Sequence, residues 1–189
     1  MMENVTPMIK QYRKVKAQHP QSIVFFRLGD FYEMFGEDAE IASKQLNLVL
    51  TSRDAGTAGK IPMCGIPYHA ADTYISRLVK AGFRVVICEQ VENPAFAKGL
   101  VKREVVREIS AGTFLDESSA ESRYLAAVVP TKQGIGFACI EAAGGTIHLA
   151  AYQHLQALMD AIWRFPVREI LFPDDAGEAL APLRDNPLL

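Results

Sequence analysis

Ile23-Val24-Phe25-Phe26-Arg27-Leu28-Gly29-Asp30-Phe31-Tyr32-Glu33-Met34-Phe35 is the stretch that decides how the first half of this chain folds. The β-branched and aromatic run Ile23 to Phe26 precedes Gly29-Asp30, a dipeptide suited to a two-residue hairpin connection. Phe31 to Phe35 then reads as the returning strand. In extended backbone, residues i and i+2 share a face, whereas in a helix they lie about 200° apart. Phe31 and Glu33 can therefore address one target only if this segment is a strand. Two readings stand side by side on local grounds: a core Phe beside a solvated Glu, or a ring and a carboxylate presented together.

Working outward, Gly36 to Leu46 places Ala39, Ala42 and Leu46 on one side of a short helix, and Leu48 to Thr51 then reads as a strand. Ala55 to Lys60 has the small residues of an exposed loop, and Pro62 and Pro67 bracket an irregular stretch through Met63-Cys64-Gly65. From about residue 69, Ala71, Tyr74, Ile75, Leu78 and Val79 line one face of a helix, with Asp72 in its first turn and Gly82 at C′. Strands at Phe83 to Cys88 and Glu104 to Ile109 complete a mixed α/β domain over 1–115.

The acidic segment Asp116 to Ser122 reads as a linker, over 116–123. Beyond it, strands at 124–129, 136–141 and 146–151 form a meander, followed by a helix carrying Leu155, Leu158, Met159, Ile162 and Phe165, then a strand at 167–172. That order is how a ribonuclease-H-like unit begins. The chain stops at Asn186-Pro187-Leu188-Leu189 before such a unit, occupying 124–189, would be complete. A truncated second domain of a longer protein is the expectation.

Composition bounds the function. The chain has 189 residues, 49% hydrophobic and 22% charged, which suits a globular protein of one or two small domains. It has no apolar run of about 18 residues and no basic-then-apolar start, so a cytoplasmic, membrane-free location is expected. Three scattered cysteines, Cys64, Cys88 and Cys139, read as reduced small hydrophobes. Residues 1–115 carry 15 Lys+Arg against 12 Asp+Glu, a net +3, and residues 116–189 carry 5 against 10, a net −5. Basic clusters at Lys10, Arg13, Lys14 and Lys16 and at Lys98, Lys102, Arg103 and Arg107 suit phosphates or are simply solvated faces. An overall pI near 6.1 argues against indiscriminate polyanion binding.

Catalytic readings fail on spacing. Gly59-Lys60 resembles the end of a phosphate loop, but Asp54 and Ile61 stand where Gly and Ser/Thr are required. Cys64 and His69 have no second Cys/His pair at zinc spacing. The strand at 124–129 has no carboxylate and Glu141 alone cannot hold two metals, so a metal-dependent nuclease is disfavoured.

The first half resembles the N-terminal portion of the bacterial DNA mismatch-repair MutS family. The resemblance is carried by Thr6-Pro7-Met8, Phe25 to Phe35, Ile61-Pro62-Met63-Cys64-Gly65-Ile66-Pro67-Tyr68-His69 and Ile87-Cys88-Glu89-Gln90. It implies a mismatch-recognition domain over 1–115 and, by architecture, a connector domain after it. The family's Phe-x-Glu motif falls on Phe31 and Glu33. It implies that Phe31 wedges into the minor groove beside a mispaired or unpaired base and Glu33 hydrogen-bonds the displaced base. Arg53, Lys98, Lys102 and Arg103 are then phosphate candidates, with Met63 near the groove. The implied partners are double-stranded DNA with mismatches or small loops, a MutL-type repair partner and a second copy of the full-length protein, the fragment itself being monomeric. The family's ATPase core, with its ATP and Mg, would lie beyond Leu189, so this chain is expected to hold no cofactor and not to be an enzyme. The other class left open is a structural, protein-contacting fragment without DNA binding of its own.

Overall fold

The computed structural model describes residues 5–92, 99–115 and 122–184. Lys98, most of the expected linker and the last residues of the chain, Asn186 and Pro187 among them, lie outside the described residues. The chain divides after Ser110 into two compact units.

The first unit begins with α1 (Pro7–Gln18), started by a Thr6 hydroxyl that accepts from the Ile9 N–H and by Pro7 at the first helical position. Only Ile9, Tyr12 and Val15 are buried on it, and Lys10, Arg13 and Lys14 are exposed. β1 (Ser22–Leu28) and β2 (Phe31–Phe35) form the expected hairpin, with Leu28 opposite Phe31 and Phe26 opposite Glu33. α2 (Glu37–Leu46) follows and ends on Asn47 in the left-handed conformation. Next come β3 (Thr51–Asp54), β4 (Lys60–Pro67), a 3-10 turn at Tyr68–Ala70, α3 (Ala71–Lys80), β5 (Arg84–Gln90) and β6 (Arg103–Ile109). The six strands make one mixed sheet in the order β3-β4-β2-β1-β5-β6, in which β1 and β5 are parallel and every other pair is antiparallel.

Two local expectations shift. The apolar run Leu48 to Leu50 is not strand; Val49 is 85% exposed, and pairing starts at Thr51. The stretch between Pro62 and Pro67 is not irregular but is β4, an interior strand. Pro62 accepts from the Gly36 N–H, so the bond its missing N–H fails to return falls just past the end of β2, and Pro67 ends β4.

Alternation along the strands divides the sheet's two faces. Val24, Phe26, Phe35, Val86 and Cys88 meet Ile9, Tyr12 and Val15 of α1 in one core. Tyr12 sits edge-on to Phe35 with ring centroids 5.0 Å apart. Residues of the other parity, such as Ile23, Phe25, Met34, Cys64 and Ile66, are buried on the opposite face. There Cys64 Sγ donates to the Ala39 carbonyl of α2. Asp38, 1% exposed, ties the layers together: Tyr12 Oη donates to it at 2.6 Å, Lys16 Nζ at 2.7 Å and the Val24 N–H at 3.0 Å. These three donors offset the cost of burying a carboxylate.

The second unit has a four-stranded sheet in the order β10-β7-β8-β9, from β7 (Tyr124–Thr131), β8 (Gly134–Glu141), β9 (Ile147–Tyr152) and β10 (Val167–Leu171). Helix α4 (Leu155–Ile162) crosses between β9 and β10, and β10 returns parallel to β7. Leu158 and Ile162 of α4 join Ala126, Val128, Phe137 and Cys139 in a separate core. The Gly112 N–H donates to Glu169 of β10, so the backbone just after Ser110 belongs to this unit.

Candidate nucleic-acid interface

The β1–β2 turn presents the pair singled out by its spacing. Gly29 has φ +58° and Asp30 is not in the positive-φ region, the pattern of a type II′ turn. The turn is held from two sides: Arg27 Nε donates to the Gly29 carbonyl, and the Tyr68 N–H donates to the Asp30 carbonyl at 2.9 Å.

Phe31, Glu33 and Phe35 share one face of β2, and their surroundings change steadily along it. Phe35 is buried under α1, Glu33 is half-buried, and Phe31, beside the turn, is 48% exposed. Tyr32 points to the other face, where its hydroxyl donates to Glu89 and where burial, followed by that bond, pushes its pKa up to about 12. The Arg27 guanidinium lies 3.6 Å over the Tyr68 ring and 3.6 Å from the same Glu89 carboxylate. The reverse side of the tip is thus a closed polar and aromatic cluster that supports the exposed Phe31 from behind.

Glu33 is paired with Arg53 of β3, which reaches over β4 to it. The residue opposite Glu33 on β4 is Gly65; a Cβ there would lie 3.3 Å from the Tyr32 carbonyl and 3.5 Å from Glu33 Cγ. The glycine leaves room for the carboxylate arm to lie across the sheet.

Other expected site residues separate. Lys102 is exposed and paired with Glu104, a bond that raises its pKa. Met63 is partly buried against the α1 core, on the same strand face as Gly65. Arg103, another of the phosphate candidates, lies largely inside the fold. It is 8% exposed and donates to the Arg27 carbonyl at 2.6 Å, the Val101 carbonyl at 2.8 Å and Gln11 at 3.1 Å, with its guanidinium 5.1 Å from the Phe26 ring centroid. Its Nε and Nη1 donors are spent inside the fold. Lys16 of the first basic cluster is likewise engaged, by Asp38. Gly65, Tyr68 and Arg27 escaped the sequence reading as site residues, although all three lie within the quoted motifs.

An exposed ring, a paired carboxylate and a clamped turn that carries both stand together on a mixed α/β scaffold. Among the described residues no three His, Cys, Asp or Glu side chains gather as a metal site, and no helix is long and apolar enough to cross a membrane. The chain belongs to the MutS domain I family, whose model matches residues 6–118. It is 47% identical over 178 residues to a DNA mismatch repair protein MutS of Desulforamulus reducens, an alignment covering 90% of this chain and 20% of that protein. Proteins of the same description from Bacillus subtilis and Myxococcus xanthus are 45% and 49% identical, over 98% and 93% of this chain and 22% and 20% of theirs. The chain spans about one fifth of the length of these curated relatives.

Proposed function

We propose that this chain recognises mispaired or unpaired bases in double-stranded DNA and so serves the initiation of mismatch repair. Phe31 is the minor-groove wedge and Glu33 the group that hydrogen-bonds the displaced base. The observation that carries the reading is the half-exposed Phe31 on a turn clamped by Arg27 and Tyr68, with its strand neighbours of the same parity engaged by Arg53 and by α1.

A wedge reads no base sequence. Unstacking a base step costs a few kcal/mol in intact duplex and less where pairing is already defective, so the ring turns weakness of the duplex into affinity. Glu33 adds selectivity, because a carboxylate is a poor neighbour for phosphates but an acceptor for a base N–H. Facing a base acceptor instead, it would have to be protonated, and the contact would then depend on pH. Among the described residues, Arg53 and Lys102 are the phosphate candidates that remain accessible.

Residues 124–189 serve as the connector, and the full-length protein carries the ATPase with its ATP and Mg, engages a MutL-type partner and forms a homodimer. Fluorescence anisotropy with mismatched and matched duplexes of one length, at one stated salt concentration, tests the reading. Equal affinities for the two would favour the structural, protein-contacting alternative.

A further inference from the structure

The acceptor meant for a base already has a partner. Glu33 Oε2 is paired with Arg53, so a base N–H competes with that guanidinium for the carboxylate, and full transfer of Glu33 to the base opens the pair and releases a cation. The Glu33 side chain is 17% exposed and that of Arg53 40%, so the arginine is the member with room to move outward. Gly65 keeps the lane between them clear. A second guanidinium feels both charges: burial, the largest cause, lowers the pKa of Arg103 and Cys88 raises it, and after these Arg53 lowers it and Glu33 raises it. Once Glu33 withdraws, two like charges remain, and Arg103 is held by the Arg27 and Val101 carbonyls and Gln11. Repulsion then acts on Arg53, the one not anchored.

We propose that Arg53 is a specificity-determining residue of this site: on matched duplex it stays paired with Glu33, and on a mismatched duplex Glu33 transfers to the displaced base while Arg53 moves to a backbone phosphate. The proposal rests on the wedge reading of Phe31 and Glu33. The exchange replaces one internal ion pair by a base hydrogen bond and a phosphate contact, with no change in the protein's charge. On matched DNA no base edge is offered, so the pair stays closed. Discrimination then comes from a masked cation more than from a bare carboxylate.

The salt dependence of binding by the complete protein reads this out, because each neutralised phosphate adds about 0.9 to the slope of log K against log salt. The wild-type slope should be steeper on mismatched than on matched duplex by about 0.9. Arg53→Ala should remove that difference and weaken mismatch binding by about tenfold more than matched binding. Arg53→Lys, which keeps the charge, should retain the difference, and Glu33→Ala should raise the matched slope to the mismatched one. Arg53→Gln repeats the measurement with a longer neutral side chain, so that a folding defect in the alanine variant does not decide it. If the neutral variants keep the slope difference while Phe31→Ala still abolishes mismatch preference, the exchange is wrong and the wedge stands. If Phe31→Ala retains the preference, the wedge reading fails and the exchange fails with it.

Discussion

Replacing Phe31 with alanine separates function from folding at one position. The side chain is 48% exposed, so much of its transfer free energy is still available to be gained on insertion into DNA. Full burial of a Phe contributes about 1.5–3 kcal/mol, which leaves about 1 kcal/mol for the exposed part. Stacking on a base adds about 1–3 kcal/mol. Together these place the loss on mismatched duplex at about 2–4 kcal/mol, or roughly 30- to 1000-fold in affinity. On matched duplex the wedge is not inserted, and the loss should be small. Stability should fall by only about 1 kcal/mol, since Phe31 stands opposite Leu28 and Pro67 in the sheet register and is not part of the α1 core. Anisotropy titrations with both duplexes at fixed salt, paired with urea unfolding, give the two numbers. Unchanged discrimination in a folded variant would refute the wedge; a large stability loss would show that Phe31 is a core residue.

Glu33→Ala should raise affinity for matched DNA, measured on the same duplexes; binding to matched DNA no tighter than wild type would remove the selectivity argument. Tyr12→Phe takes one donor from the buried Asp38 and from the Phe35 carbonyl, and urea unfolding should show a loss of about 1–3 kcal/mol with mismatch preference intact. Stability should fall at alkaline pH, because the fold holds protonated groups. Burial pushes the Cys64 and Cys88 thiols from 9.0 up to about 11, and burial with the Glu89 bond pushes Tyr32 from 10.0 up to about 12. Their contribution is complete below pH 9 and is lost as pH rises through the folded-state values, so unfolding free energies rising between pH 9 and 11 would contradict this.

The β1–β2 hairpin was legible because period-2 alternation and a Gly-Asp turn are local signals, and both survive in the structure. The α3 stripe and the meander with its returning β10 were legible for the same reason. Helix α1 was not, since its buried side is only Ile9, Tyr12 and Val15 among exposed cations, and its stability comes from the sheet beneath it. Leu48 to Leu50 looked like strand because apolarity was mistaken for pairing, whereas β4 was hidden by prolines whose lost bond falls beyond a neighbouring strand end. Arg103 reads as part of a basic stripe, because sequence cannot show that the Arg27 and Val101 carbonyls and Gln11 engage its Nε and Nη1. The Glu33–Arg53 pair depends on β4 lying between β2 and β3, a register that no local pattern carries.

Strand parity imposes a constraint that joins the fold to the site. In Phe31-Tyr32-Glu33 the outer two residues face the proposed reading side and the middle one anchors the reverse side through Glu89. A one-residue slip of β2 would turn Tyr32 to the reading side and bury Phe31 and Glu33 behind the sheet. The register therefore has to be held beyond the two-residue turn itself, and three features hold it: the Tyr68 N–H on Asp30, Arg27 on Gly29, and Phe35 edge-on to Tyr12 under α1. Two of these lie at the tip and one at the far end of β2, so the strand is fixed at both ends while its reading face stays open. A mobile hairpin would lose binding energy to ordering on every encounter, whereas a strand fixed at both ends arrives already ordered. Under the proposed function the duplex is then the partner that must deform, and only a duplex with a defective base pair deforms cheaply.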